Sequence, residues 1–122
     1  MTDRPRNVDH LLPLKPKVLH ILLALADGPR HGYSIMQEVA ERTEGQVRLW
    51  PAALYGLLRE LEKLDMIIEP DKRPSAVEDD ERRRYFALTP QGKRVLDAEV
   101  RRLEAIVNHA RASRALRKVV RA

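Results

Sequence analysis

Apolar residues recur at intervals of three and four along most of this chain, and in two short stretches that spacing gives way to strand-like patterns. The first helix is expected to begin near Pro16, since proline suits the first helical position. Val18, Leu19, Leu22, Leu23, Leu25 and Ala26 then cover a face broad enough to predict a largely buried helix. Asp27-Gly28-Pro29 stops it. A second helix is predicted from about Gly32 to Arg42, with Ile35, Met36, Val39 and Ala40 on one side and Glu44-Gly45 as its end. The third runs from Pro51 to about Leu64. Its stripe is Leu54, Leu57, Leu58, Leu61 and Leu64, and the opposite face carries Ala52, Gly56, Arg59 and Lys63, with Tyr55 at the edge.

The pattern then changes. Met66 to Glu69 reads as a short strand, Pro70 to Glu81 as a polar loop, and Arg82 to Leu88 as a returning strand with Phe86 and Leu88 on one face. Thr89-Pro90 supplies an N-cap and a first-turn proline. From there a single long helix is predicted to about Val119, with Leu96, Val100, Leu103, Val107 and Ala110 spaced 4, 3, 4, 3 as a heptad-like seam. Residues 1–14 hold two prolines and no periodicity, and read as a mobile arm. The expected organisation is an arm over 1–14, a winged helix-turn-helix over 15–89, and a dimerisation helix with a basic tail over 90–122. The fold class is mainly α, with a two-stranded β wing.

Composition narrows the chemistry. Aromatics are only 4% of the 122 residues, so the core must be aliphatic, which favours packed helices. With no cysteine, disulfides and thiolate metal sites are excluded. His10, His20, His31 and His109 stand at no metal-site spacing, so neither a metal nor another cofactor is expected, and His31 reads as a local hydrogen-bonding residue. There is no Gly-rich phosphate loop, no Ser/His/Asp set and no carboxylate cluster in an apolar setting, so an enzyme is not expected. The longest apolar stretch, Val18 to Ala26, is about half of the roughly 20 residues a membrane span needs. The N-terminus lacks the order of a signal peptide. A cytoplasmic protein without a membrane partner is expected.

The net charge of +5 is unevenly spread. Residues 90–122 hold nine Lys or Arg and three Asp or Glu, so the remainder sums to −1. Nucleic-acid binding by the first ninety residues would therefore use local patches. In helix-turn-helix proteins the helix after the turn enters the major groove. Here Ala52 and Gly56 are small enough for close approach, Arg59 can bond guanine or phosphate, and Tyr55 and Lys63 can donate to phosphate. The bland readings are that Gly56 marks close helix packing and that Arg59 and Lys63 are solvated charges. Trp50 reads as an apolar staple on the helix start, with a ligand or interface role as the alternative. In the wing, Lys72, Arg73 and Arg83 are candidate phosphate contacts, opposed by the acidic run Glu78 to Glu81, which could neutralise them.

Three ordered motifs carry a resemblance. Leu12-Pro-Leu-Lys-Pro, Ile21-Leu-Leu-Ala-Leu-Ala-Asp-Gly-Pro and His31-Gly-Tyr-Ser-Ile form the first, Ala53-Leu-Tyr-Gly-Leu-Leu-Arg-Glu-Leu-Glu the second, and Arg83-Arg-Tyr-Phe-Ala-Leu-Thr-Pro-Gln-Gly the third. Together they resemble PadR-family transcriptional regulators over about 12–103. The resemblance implies a winged helix with a C-terminal dimer arm. It implies a repressor in most members, and in some a response to small aromatic or drug-like ligands. It also implies that Tyr33 and Tyr55 lie close to DNA. This chain departs from the family pattern at Asp65, where glycine is usual, at Trp50, where a small polar cap is usual, and at Phe86, where tyrosine is common. The resulting expectation is a homodimer that binds a two-fold operator in double-stranded DNA, with Leu96, Val100, Leu103, Val107 and Ala110 in the dimer interface. The alternative is a non-catalytic protein-interaction module on a winged-helix scaffold.

Overall fold

The protein is described by a computed structural model covering residues 8–70 and 84–121. The elements, in order, are a 3-10 turn at Asp9–Leu11, then α1 (Pro16–Ala24), β1 (Arg30–His31), α2 (Gly32–Arg42), α3 (Pro51–Lys63), β2 (Ile67–Ile68), β3 (Tyr85–Leu88), α4 (Pro90–Ala112) and α5 (Arg114–Arg121). The three strands form one antiparallel sheet in the order β1-β3-β2. Arg30 pairs with Phe86 and His31 with Tyr85, while Ile67 pairs with Leu88 and Ile68 with Ala87. The fold is therefore a mainly helical winged helix with a long C-terminal helix, and its sheet has one strand more than the expected wing.

Aliphatic stripes from all the long elements meet in one core. Ile21 and Leu22 of α1, Ile35 and Val39 of α2, Leu54 and Leu58 of α3, Phe86 of β3 and Val95 of α4 are all fully buried. Phe86 sits at the centre, where a tyrosine hydroxyl would need a buried partner. Burying these side chains, at about 25 cal/mol per Å² of apolar surface, is what holds the short helices in place.

The helix ends follow from local chemistry. After α3, Asp65 takes a left-handed φ of 62°. The Met66 N–H then reaches Leu61 O at 2.9 Å and the Asp65 N–H reaches Glu62 O at 3.0 Å, which is the Schellman pattern that satisfies the last carbonyls. Aspartate tolerates this conformation better than most residues, so the usual glycine is dispensable. Thr89 joins that turn to α4, donating its hydroxyl to Asp65 O at 2.6 Å and accepting from the Gly92 N–H at 2.9 Å.

Two further differences from the sequence expectations concern the chain ends. The segment read as a mobile arm is packed from Val8 onward. Val8 belongs to the core, Leu11, Leu12 and Leu14 lie against it, and the Leu14 N–H donates to Glu99 Oε2 at 3.1 Å. The long C-terminal helix is not continuous to Val119. It breaks at Ser113, whose ψ of 150° is extended. Ser113 Oγ donates to Ala110 O and accepts from the Leu116 N–H, so this residue closes α4 and caps α5.

Candidate nucleic-acid interface

α2 and α3 are set against each other by the His31-Gly32-Tyr33-Ser34 sequence. His31 is the N-cap of α2, its Nδ1 accepting the Ser34 N–H at 3.2 Å. Its ring stacks over Tyr33 and meets Tyr85 edge-on at 5.4 Å between centroids. Ser34 Oγ accepts from Arg30, which also donates to Ala24 O at 2.7 Å, tying the end of α1 to the start of α2.

Tyr55 does not stand on the outer face. Its ring leans on Phe86 with centroids 6.4 Å apart, and its hydroxyl lies against Gly32, where any β-carbon would collide with it. Packing gives Tyr55 a role of its own: the side chain is half-buried and wedges α3 against α2. Tyr33 is different. It is 59% exposed at the start of α2, with Gln37 Nε2 donating to its hydroxyl at 3.4 Å.

The leucine stripe fixes which face of α3 meets solvent. Leu54, Leu58 and Leu61 are buried, so Ala52, Arg59 and Lys63 are exposed on the far side. Among the described residues, neither Arg59 nor Lys63 has a carboxylate partner. Gly56 lies in the same row, and a β-carbon placed on it meets nothing within 4 Å. The packing explanation for this glycine therefore fails, because no neighbouring element among the described residues approaches it.

The start of α3 corrects another expectation. Trp50 is 64% exposed and staples nothing. As the N-cap residue it makes no side-chain capping bond.

At the base of the wing, Arg84 is the member of the Arg82-Arg83-Arg84 cluster that lies within the described residues. It is not free: its guanidinium bonds Glu69 through both Nε and an Nη, and lies 5.3 Å from the centre of the Phe86 ring. The bond to Glu69 raises its pKa above the ordinary arginine value, against the opposing effect of burial. Lys72, Arg73 and Arg83 lie outside the described residues.

α4 divides in two. Its first turns belong to the chain's own core, with Val95 fully buried and Leu96 only 8% exposed. The assignment of Leu96 to a dimer seam is therefore corrected, since its own domain covers it, and Val100 also packs against that core. Further along, Leu103 and Ala110 are half-buried, while Ile106 and Val107 are about half exposed. Glu99 marks the boundary. It is 1% exposed and receives Arg102 Nε at 2.7 Å, an Arg102 Nη at 2.9 Å and the Leu14 N–H. The Arg102 bonds hold its carboxyl below the usual glutamate range, against desolvation and with the help of Leu14. This link joins residues 85 positions apart, and no local sequence signal announces it.

Against known proteins, a family model described as the transcriptional regulator PadR-like family matches residues 21–98. An uncharacterized 37.1 kDa protein in transposon TN4556 of Streptomyces fradiae is 43% identical over 79 residues, which are 65% of this chain. The chain spans about a fifth of that relative's length, 20%. A PadR family transcription regulator from Clostridium difficile superposes with a TM-score of 0.59 at 26% identity, covering 74% of this chain and 91% of that one. Bacillus subtilis PadR, solved in complex with operator DNA, shares the fold at a TM-score of 0.59 and 22% identity, covering 72% of this chain and 48% of that one.

Proposed function

The chain belongs to the PadR-like family of transcriptional regulators, and on that premise we propose that it is a homodimeric cytoplasmic repressor that binds a two-fold operator in duplex DNA through α3. The carrying observation is Gly56. A glycine inside a helix costs about 1 kcal/mol relative to alanine, and here no internal contact among the described residues accounts for it. It lies in one row with exposed Ala52 and with Arg59 and Lys63, cations that no described carboxylate pairs. A small, basic helix face open to solvent suits close approach to a major groove. Tyr33, exposed at the start of α2, would contact the adjoining backbone. The wing residues Lys72, Arg73 and Arg83 belong to this proposal on sequence grounds alone. The operator complex of the Bacillus subtilis relative supports it by analogy of fold.

The dimer would use the outer part of α4. Leu103, Ile106, Val107 and Ala110 form an apolar patch that the chain leaves partly open, and a second copy would cover it. A small aromatic inducer would have within one protomer a polar cleft of about 320 Å³, lined by Asp27, Arg30, His31, Ser34 and Tyr85. The apolar groove within one protomer, lined by Leu11, Leu14, Val18, Leu57 and Leu61, holds only about 200 Å³, below the range of about 300–1,000 Å³ usual for drug-sized ligands.

The test is duplex binding at several salt concentrations, with DNA enriched from a random pool. Affinity should fall steeply with salt. Arg59→Ala should weaken binding by about 1–3 kcal/mol. Gly56→Ala should raise the melting temperature while lowering DNA affinity. A chain that enriches no sequence and shows no salt-dependent binding would overturn the proposal.

A further inference from the structure

The residues just before α3 expose a cation and an aromatic, one before and one after a buried leucine. Leu49 is buried and points into the core. The backbone at Trp50 is extended, with φ −97° and ψ 153°. Arg48 and Trp50 both face solvent. Among the described residues Arg48 has no carboxylate partner. Trp50 is the chain's one tryptophan, and it is also 64% exposed. Nothing in the described fold uses this indole: it neither caps the helix nor covers the core. Tryptophan is enriched at interfaces, where its apolar ring is covered and its N–H can still find an acceptor.

Its position says which partner. Trp50 stands at the N-terminal end of α3, next to exposed Pro51 and Ala52. In helix-turn-helix docking the N-terminal residues of this helix meet the base edges. An apolar protein partner covering Trp50 would have to desolvate the adjacent Arg48 without compensation, whereas DNA offers a phosphate to the guanidinium and an apolar group to the ring. The apolar group exposed in the major groove is the thymine C5-methyl.

We propose that Trp50 is a specificity-determining contact, its indole packed on a thymine methyl at the edge of the operator while Arg48 pairs with the neighbouring phosphate. This rests on the DNA-binding reading above and adds to it a base preference.

Because Trp50 is the one tryptophan, its emission reports on its own contact. A fluorescein-labelled duplex, enriched by selection, is titrated with the full chain, and anisotropy and tryptophan emission are read together. Thymines are then replaced one at a time by deoxyuridine. Binding should shift or quench the emission and shield it from iodide. Deoxyuridine at one position per half-site should weaken binding by about fourfold, the size expected for one methyl-sized apolar group. The same replacement should have no effect on Trp50→Ala, and Trp50→Phe should keep part of the preference. Thermal melting of both variants checks that they fold. Anisotropy that reports binding while the emission stays unchanged overturns the contact and leaves the DNA-binding reading standing. Emission that responds while every deoxyuridine duplex binds equally overturns the thymine assignment. Absence of binding by anisotropy overturns the DNA-binding reading itself, and this inference with it.

Discussion

The hydroxyl of Tyr55 occupies the space that a side chain on Gly32 would need, so the first residue of α2 and the fifth of α3 are complementary. Each explains the other. Gly32 leaves a gap at the start of α2, and Tyr55 fills it while resting on Phe86. The angle between the two helices of the DNA-binding motif is fixed by this fit.

Gly32→Ala should therefore destabilise the protein by about 1–3 kcal/mol, the usual cost of overpacking. Tyr55→Phe removes the atom nearest the new methyl and leaves Cζ, 2.7 Å from where that methyl carbon would stand, as the remaining obstruction. Gly32→Ala should cost less in that background. Urea unfolding of the two single variants and the double variant gives the coupling; strict additivity would mean that the two residues do not press on each other.

Leu103→Glu should dissociate the proposed dimer. The leucine lies beyond the part of α4 that packs on its own domain, so the charge enters the patch around Ile106 and Val107 and leaves the core intact. Sedimentation should change from dimer to monomer, with the melting curve of the folded domain largely retained. A wild-type chain that sediments as a monomer at micromolar concentration would end the dimer proposal.

Asp65→Gly should stabilise the fold by about 0.5–1 kcal/mol, since glycine enters the left-handed region without the β-carbon penalty. The bonds of the turn come from backbone atoms and from Thr89, so the substitution leaves them in place. Thermal melting measures it, and a lower midpoint would mean that the aspartate side chain has a further role.

Glu99 predicts an acid limb in stability. Its folded pKa is depressed, first by Arg102. The stability it contributes is fully present above the unfolded glutamate value of about 4.3, and it is lost as the pH falls through the folded value. Glu99→Gln should be less stable at neutral pH by about 1 kcal/mol, the difference between a charged and a neutral acceptor for Arg102 and the Leu14 N–H. It should also lose stability less steeply than the wild type from about pH 5 downward. Parallel acid slopes for the two proteins would show that Glu99 does not govern this region.

Sequence periodicity is most informative where one element carries its own signals. The limits of α2 are legible because His31 caps one end and Glu44-Gly45 closes the other. The leucine stripe of α3 likewise identifies the outer face, since its inner face is buried as a unit. Partners brought together only by the fold are not legible. β1 is two residues long and owes its existence to β3, whose Tyr85 and Phe86 pair with it from far along the chain. Leu96 has the spacing of a dimer seam, but an aliphatic stripe looks the same whether its own domain or a second copy covers it. Ser113 lies just past Ala110, the last position of the apolar seam, in a stretch without Gly or Pro to mark a break, and its side chain competes for the backbone there. Trp50 has the composition of a staple, and only its exposure shows otherwise.

The partition of α4 bears on how tolerant an operator could be. The helix has 23 residues and is about 34 Å long. One end is anchored in the core by Val95, Leu96 and Glu99, with Arg102 and Leu14 holding the carboxylate. If the other end carries the pairing surface, no hinge among the described residues separates it from α3. The chain then works as a caliper with a fixed opening. Two half-sites at the matching phase of the DNA helix would be gripped together, and one added base pair between them would turn the second half-site by about a tenth of a turn. The DNA would have to twist to meet the protein.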